Sequence, residues 1–257
     1  MGQVSGKKAL VLGLANDRSL AYGIAQHLVA EGATLAVTYQ GEALEERVRR
    51  LAETLNSPLV LPCDVADDAA IDRLFDVIGK EMGGIDLLVH AVAYAEKEDL
   101  VGPYYTVSRA GFHKALDIGA YSLTAMARGA APLMAARGGG AMITLTYFGA
   151  EKVIPHYNIM GVTKAALEAS VRYLANDLGP QNIRVNAISA GPIKTLSAKG
   201  ISDFNAMLAL AREKSPLQRN ITMEDVGRTG LFLLSDQSAG ITGETLHVDC
   251  GYNIMGS

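Results

Sequence analysis

Short, nearly unbroken apolar runs alternate along this chain with longer amphipathic stretches, and no other feature limits the fold as much. KALVLG (8–13), TLAVTY (34–39), PLVLP (58–62), IDLLVHA (85–91), AMITLTY (141–147), IRVNAIS (183–189) and ETLHVD (244–249) read as strands. Strands without polar alternation are covered on both faces, the usual state of parallel strands. Helices are expected at about 20–31, 42–55, 67–82, 109–136, 157–178 and 224–235. Such strand–helix alternation implies an α/β fold: one doubly wound parallel sheet of about seven strands with helices on both faces.

Composition narrows the class further. Apolar residues are 49% of the 257 and charged residues 19%, which excludes a disordered chain. A net charge of -4 argues against a nucleic-acid binder. No apolar stretch is long enough for a membrane-spanning helix. The opening MGQVSGKKALVLG lacks an apolar core with a cleavage site, and Gly6 stands where a myristoylation motif needs Ser or Thr. A cytoplasmic protein is therefore expected. Cys63 and Cys250 form no metal or redox motif and read as buried small hydrophobes. No linker or repeat interrupts the pattern, so 1–257 is taken as one domain. Two connections, 93–108 and 190–222, are longer than the fold requires, and the second is expected to contain helices of its own. Both leave the C-terminal ends of strands, where ligands bind in open α/β sheets.

The first strand–helix turn, Gly13 to Gly23, has the ingredients of a phosphate site. Ser19 is an N-cap candidate beside Leu20, and Gly23 is expected to let the helix lie close to the sheet. The turn is longer than GxGxxG, and a ligand-free glycine turn remains the alternative on this segment alone. At the end of the second strand stands Gln40, a neutral hydrogen-bonding residue. From 34 to 46 there is no Lys or Arg, whereas Glu42, Glu45 and Glu46 are acidic, so NADH is favoured over NADPH. Asp64 and Val65, after the third strand, either meet an adenine ring or, for Asp64, cap the next helix.

Tyr157 and Lys164 are seven residues apart at the start of a predicted helix. Seven residues turn about 700°, so both occupy nearly one face, two turns apart. A cation near a phenol lowers its pKa and makes it a proton donor near neutrality.

With these segments in view, the chain resembles the short-chain dehydrogenase/reductase superfamily of Rossmann-type sheets, and within it the bacterial enoyl-acyl-carrier-protein reductases. The likeness runs end to end. It is carried by Gly13, Ser19 and Ala21-Tyr22-Gly23-Ile24-Ala25; by Thr38-Tyr39-Gln40, Cys63-Asp64-Val65 and Val89-His90; and by Tyr157-Asn158-Ile159-Met160-Gly161 with Lys164-Ala165. It continues through 184–192 (RVNAISAGP) and 240–244 (GITGE). Ketone-reducing relatives use Tyr-x3-Lys with a Ser thirteen residues before the Tyr. Here those two positions hold Met160 and Tyr147, and a Tyr-x6-Lys pair replaces the triad. Reduction of a 2-enoyl thioester delivers hydride to C3, and charge develops on a carbonyl oxygen farther along the conjugated system. A donor displaced about one helical turn, roughly 5 Å, follows that oxygen.

The resemblance implies a reaction and its residues. NADH reduces an enoyl thioester on acyl carrier protein; Tyr157 stabilises the enolate, and Lys164 holds the nicotinamide ribose. Tyr147 either shapes the pocket or is a strand-end aromatic. Ala91, Val92, Ala93, Pro192, Ile193 and Thr195 are expected around the nicotinamide and pyrophosphate. Tyr94, Leu100 and Met160 are acyl-pocket candidates, joined by a stripe of Ala198, Ile201, Phe204 and Met207, which otherwise packs on the core. Relatives carry Ser-Ile-Gly where this chain has Ala91-Val92-Ala93, so a methyl narrows the space at 93. The segment 201–206 lacks the basic residues that some relatives present to carrier protein; Lys199, Arg212 and Lys214 are nearby substitutes. A homotetramer is expected, with the apolar tail 250–255 available for an interface. The alternatives are a short-chain ketone or alcohol dehydrogenase, against which the missing Tyr-x3-Lys argues, and a non-catalytic dinucleotide-binding protein.

Overall fold

The computed structural model describes residues 2–195 and 203–256. Seven parallel strands form one sheet: β1 (Lys8–Leu12), β2 (Thr34–Tyr39), β3 (Leu59–Pro62), β4 (Leu87–His90), β5 (Gly140–Thr146), β6 (Ile183–Ala190) and β7 (Thr245–Val248). Their order is β3-β2-β1-β4-β5-β6-β7. The chain reverses direction across the sheet between β1 and β4, which opens a crevice at their C-terminal ends.

Within β1, Leu10 and Leu12 enter one core while Ala9 and Val11 enter the other. Both faces are covered, so alternation exists in space but not in polarity. On one face lie α1 (Leu20–Ala30), α2 (Glu42–Thr54) and α8 (Met223–Leu234), which contribute Ile24, Leu28, Val48 and Val226. The other face is covered by α3 (Asp68–Met82), α5 (Ser122–Ala135) and α6 (Asn158–Leu178), through Ile78, Met126, Met134 and Leu167. No helix of the described residues is long and apolar enough to cross a membrane. Cys63 and Cys250 are free and buried, and burial with Asp64 and Asp67 pushes the Cys63 thiol up to about 11.

Two expectations need correction. The long helix at 109–136 is interrupted: α4 (Arg109–Leu116) passes through a π-helical turn, Asp117–Tyr121, into α5. The turn meets α6 at Gly119, where a Cβ would lie 2.4 Å from Thr163 Cγ2. Gly23 does not serve helix–sheet packing. A Cβ there would meet Met223 at 3.3 Å, and Gly227 and Gly230 answer from α8 against His27 and Ile24. The glycines let two helices cross closely on the sheet.

The connection after β6 does contain a helix, α7 (Phe204–Lys214). The 93–108 connection holds two short 3-10 turns, Lys97–Leu100 and Tyr104–Thr106.

Candidate active site

A cavity of about 700 Å³ lies over the crevice. It gathers Gly13, Ser19, Leu20, Ala91, Val92, Ala93, Pro192, Ile193 and Thr195 with Tyr147, Tyr157, Met160 and Lys164. Tyr94, Leu100, Phe204 and Met207 also line it. Ala198, Lys199 and Ile201 lie outside the described residues. Gln40, Asp64 and Val65 are not on this wall; they stand at the ends of β2 and β3, farther along the sheet.

Gly13 is indispensable to the crevice. Its φ is +96°, and a Cβ would lie 2.1 Å from the Ala91 carbonyl oxygen. Ser19 occupies the N-cap of α1, but its side chain caps nothing; Oγ donates to the Asn16 carbonyl at 2.7 Å. The hydroxyl closes the preceding turn instead. The first-turn N–H groups of α1 therefore have no side-chain cap, which suits an anionic group at that helix end.

Gln40 Nε2 donates to Asp64 Oδ2 at 3.0 Å, and Asp64 Oδ1 accepts from the Ala66 N–H at 3.0 Å. The capping alternative for Asp64 fails, because Asp67 caps α3 by accepting from the Ala69 N–H. The cation-free window at 34–46 also misleads in one respect. Arg49 returns over the Tyr39 ring, 5.9 Å from its centroid, and pairs with Glu45 at 2.7 Å. The signal was the helical i, i+4 spacing just past the window.

Tyr157 is the N-cap of α6 and Lys164 lies two turns in; both are buried and both reach the cavity. Lys164 Nζ donates to the Leu145 carbonyl at 2.7 Å. The Tyr147 ring stands nearly perpendicular to Tyr157, centroids 5.0 Å apart, and its hydroxyl donates to Met207 Sδ at 3.4 Å. That contact ties the end of β5 to α7. Gly149 fits under Tyr157: a Cβ would sit 2.4 Å from ring atom Cδ1.

The expectation of a phenol pulled down by its cation is not met. Burial, then Tyr147 and Glu168, push the Tyr157 phenol up. Burial pushes the Lys164 ammonium down to about 8, with Glu168 opposing. Removal from water sets the direction of the shift. The phenol is consequently protonated at neutral pH, which is what a hydrogen-bond donor to a developing oxyanion requires.

Two polar groups escaped sequence reasoning. His90, fully buried, sits between Thr144 Oγ1 (2.9 Å from Nδ1) and Ser122 Oγ (2.8 Å from Nε2). Ser122 also donates to the Ile118 carbonyl at 2.6 Å, and Thr144 to the His90 carbonyl at 3.1 Å. Burial and then Lys164 push His90 down to about 3, so it is neutral. Glu168 is also buried, with the Thr146 hydroxyl donating to Oε1 at 2.7 Å. Its place four residues after Lys164 was the available signal.

The family model described as "Enoyl-(Acyl carrier protein) reductase" matches residues 13–253. The chain is 54% identical over 253 residues to the NADH enoyl-acyl-carrier-protein reductase FabI of Bacillus subtilis, covering 98% of this chain and 97% of that one. The enoyl-acyl-carrier-protein reductase of Anaplasma phagocytophilum, crystallised with NAD, superposes with a TM-score of 0.94 at 51% identity and covers 100% of this chain and 95% of the other. The Bacillus cereus reductase, crystallised with NADP+ and an indole naphthyridinone, gives 0.97 at 52% identity, covering both chains fully.

Proposed function

The chain belongs to the enoyl-acyl-carrier-protein reductase family, and from that membership we infer the reaction and the residues that perform it. It reduces the C2=C3 double bond of trans-2-enoyl thioesters borne on acyl carrier protein, using NADH, the last step of the fatty-acid elongation cycle. One observation carries the assignment of residues: Tyr157, Met160 and Lys164 face one cavity, with methionine where a ketone reductase needs its tyrosine.

The residues present fit the dinucleotide. Gly13 lets β1 and β4 converge on a cradle that a Cβ would fill, and the uncapped start of α1 offers N–H groups to a pyrophosphate. Ser19, Leu20 and Thr195 are assigned to that pyrophosphate, Gln40, Asp64 and Val65 to the adenosine, and Ala91, Val92, Ala93, Pro192 and Ile193 to the nicotinamide end. Bound NADH supplies the hydride that reduces C3.

Tyr157 donates a hydrogen bond to the thioester oxygen, where negative charge accumulates, and is the route for enolate protonation. Its raised pKa keeps the proton in place until that charge develops. Lys164 would hold the ribose hydroxyls of the bound nucleotide, and it keeps positive charge near the phenol. Tyr147 braces the Tyr157 ring, while Met160, Tyr94, Leu100, Phe204 and Met207 enclose the acyl chain, a largely apolar wall suited to it.

Arg212 and Lys214, in the last turn of α7, support docking of acidic carrier protein near this helix. The whole chain serves as one domain with 195–222 as substrate loop, a reading supported by the single sheet. Exposed Ile254 and Met255 support an interface in a homotetrameric assembly, and a cytoplasmic location is what the family implies.

The test offers purified protein NADH with a crotonyl or longer enoyl thioester, and separately a 3-oxoacyl thioester, following cofactor absorbance. Oxidation of NADH by the enoyl substrate is expected. Turnover of only the 3-oxo substrate would make the protein a ketone reductase, and binding without turnover would make it a nucleotide sensor.

A further inference from the structure

Three consecutive residues at the end of β5 each engage one chemistry-bearing residue of α6. The Leu145 carbonyl accepts from Lys164, the Thr146 hydroxyl donates to Glu168, and the Tyr147 ring meets Tyr157. Lys164 and Glu168 are one helical turn apart on one side of α6, and the relative exposures of Lys164, Glu168 and Thr146 are 7%, 9% and 4%.

A carboxylate at such a depth is expensive unless charge and hydrogen bonds offset its lost hydration. Leu167 and Val171 on the same helix are fully buried, so an apolar side chain at 168 would suit the packing. The groups that face Glu168 are Thr146 from β5, Glu151 from the turn after β5, His247 from β7, Lys164 and Arg172 from its own helix, and Tyr157 at that helix's N-cap. Glu151 and His247 bind each other at 2.8 Å. Of the cations, Lys164 alone shares its burial.

We propose that Glu168 is a positioning residue of the reaction: its carboxylate is the countercharge that keeps Lys164 an ammonium in the floor of the cavity, and Thr146 fixes where that carboxylate lies. Burial acts against the ammonium, and Glu168 is the group that opposes it. Burial and Glu151 push the Glu168 carboxyl up, while Thr146, His247 and Arg172 hold it down. The inference rests on the assignment of Lys164 to the reaction.

Glu168→Gln tests it, because the amide oxygen still accepts from Thr146 while the charge is lost. The alkaline limb of the kcat profile for enoyl reduction is expected to move roughly one pH unit lower. In cofactor-free protein labelled with 13C-lysine, the Lys164 titration, assigned with Lys164→Met, moves lower by a similar amount. A kcat depressed equally at every pH, with the lysine titration unmoved, would reduce Glu168 to a packing role and overturn the proposal. Should the variant not fold, the 13C carboxyl signal of Glu168 in the unaltered protein decides: ionised at pH 7 upholds the countercharge, protonated at pH 7 overturns it. Absence of enoyl reduction in the unaltered protein would defeat the functional reading instead, and the two titrations would still settle the pairing of Glu168 with Lys164.

Discussion

The ring of Tyr147 stands at 75° to the ring of Tyr157, with 5.0 Å between their centroids. An edge-on aromatic contact of this kind fixes a ring plane without blocking its hydroxyl. Replacing the Tyr157 hydroxyl with hydrogen should therefore remove chemistry and leave packing intact. For Tyr157→Phe, kcat is expected to fall about 100-fold or more, with NADH affinity unchanged. Steady-state rates and fluorescence titration with NADH measure the two.

Gly149 lies against the same ring. Gly149→Ala places a methyl 2.4 Å from Tyr157 Cδ1, so the phenol must move. A misplacement near 1 Å costs about 100-fold in rate, whereas overpacking costs about 1–3 kcal/mol of stability. The variant should lose kcat disproportionately while still unfolding cooperatively, as thermal melts beside rate assays would show.

Met160 occupies the tyrosine position of ketone-reducing relatives and reaches the cavity. A phenol added there would compete for the thioester oxygen. Met160→Tyr should depress enoyl reduction and, if it gains any 3-oxoacyl reduction, do so at that expense. An efficient ketone reductase with undiminished enoyl activity would refute the displaced-donor argument.

Coenzyme choice is expected to turn on Glu45. It neutralises Arg49, the cation stacked over Tyr39, and adds negative charge near the end of β2. The natural chain should prefer NADH in kcat/KM. Glu45→Gln should free Arg49 and narrow the ratio of NADH to NADPH roughly tenfold. Parallel assays of both coenzymes at equal concentration provide the measurement.

His90 makes stability depend on pH. Buried between Ser122 and Thr144, it protonates near 3, against 6.5 for an ordinary imidazole. Protons thus bind the unfolded chain more readily in this range. The stabilising contribution is full above pH 6.5 and is lost as pH falls toward 3. His90→Asn should be less stable at pH 7 yet lose less stability between those values, in urea titrations at stepped pH.

The alternation of apolar runs and amphipathic stretches determined the seven strands and their parallel sense, because hydrophobic periodicity is local and both faces of the sheet must be covered; the strand order that puts the crevice over β1 and β4 was decided by the tertiary structure. The seven-residue spacing likewise put Tyr157 and Lys164 on one helical face, since helix geometry alone dictates it. What the tertiary structure decided depends on which distant segments come to surround a group. Gly23 meets Met223 and not the sheet; Ser19 closes a turn and caps nothing; Glu168 meets Thr146 across a helix–strand contact. The direction of the Tyr157 pKa was misread for the same reason. Desolvation is set by everything packed around the phenol, and no pair spacing along the chain contains that quantity.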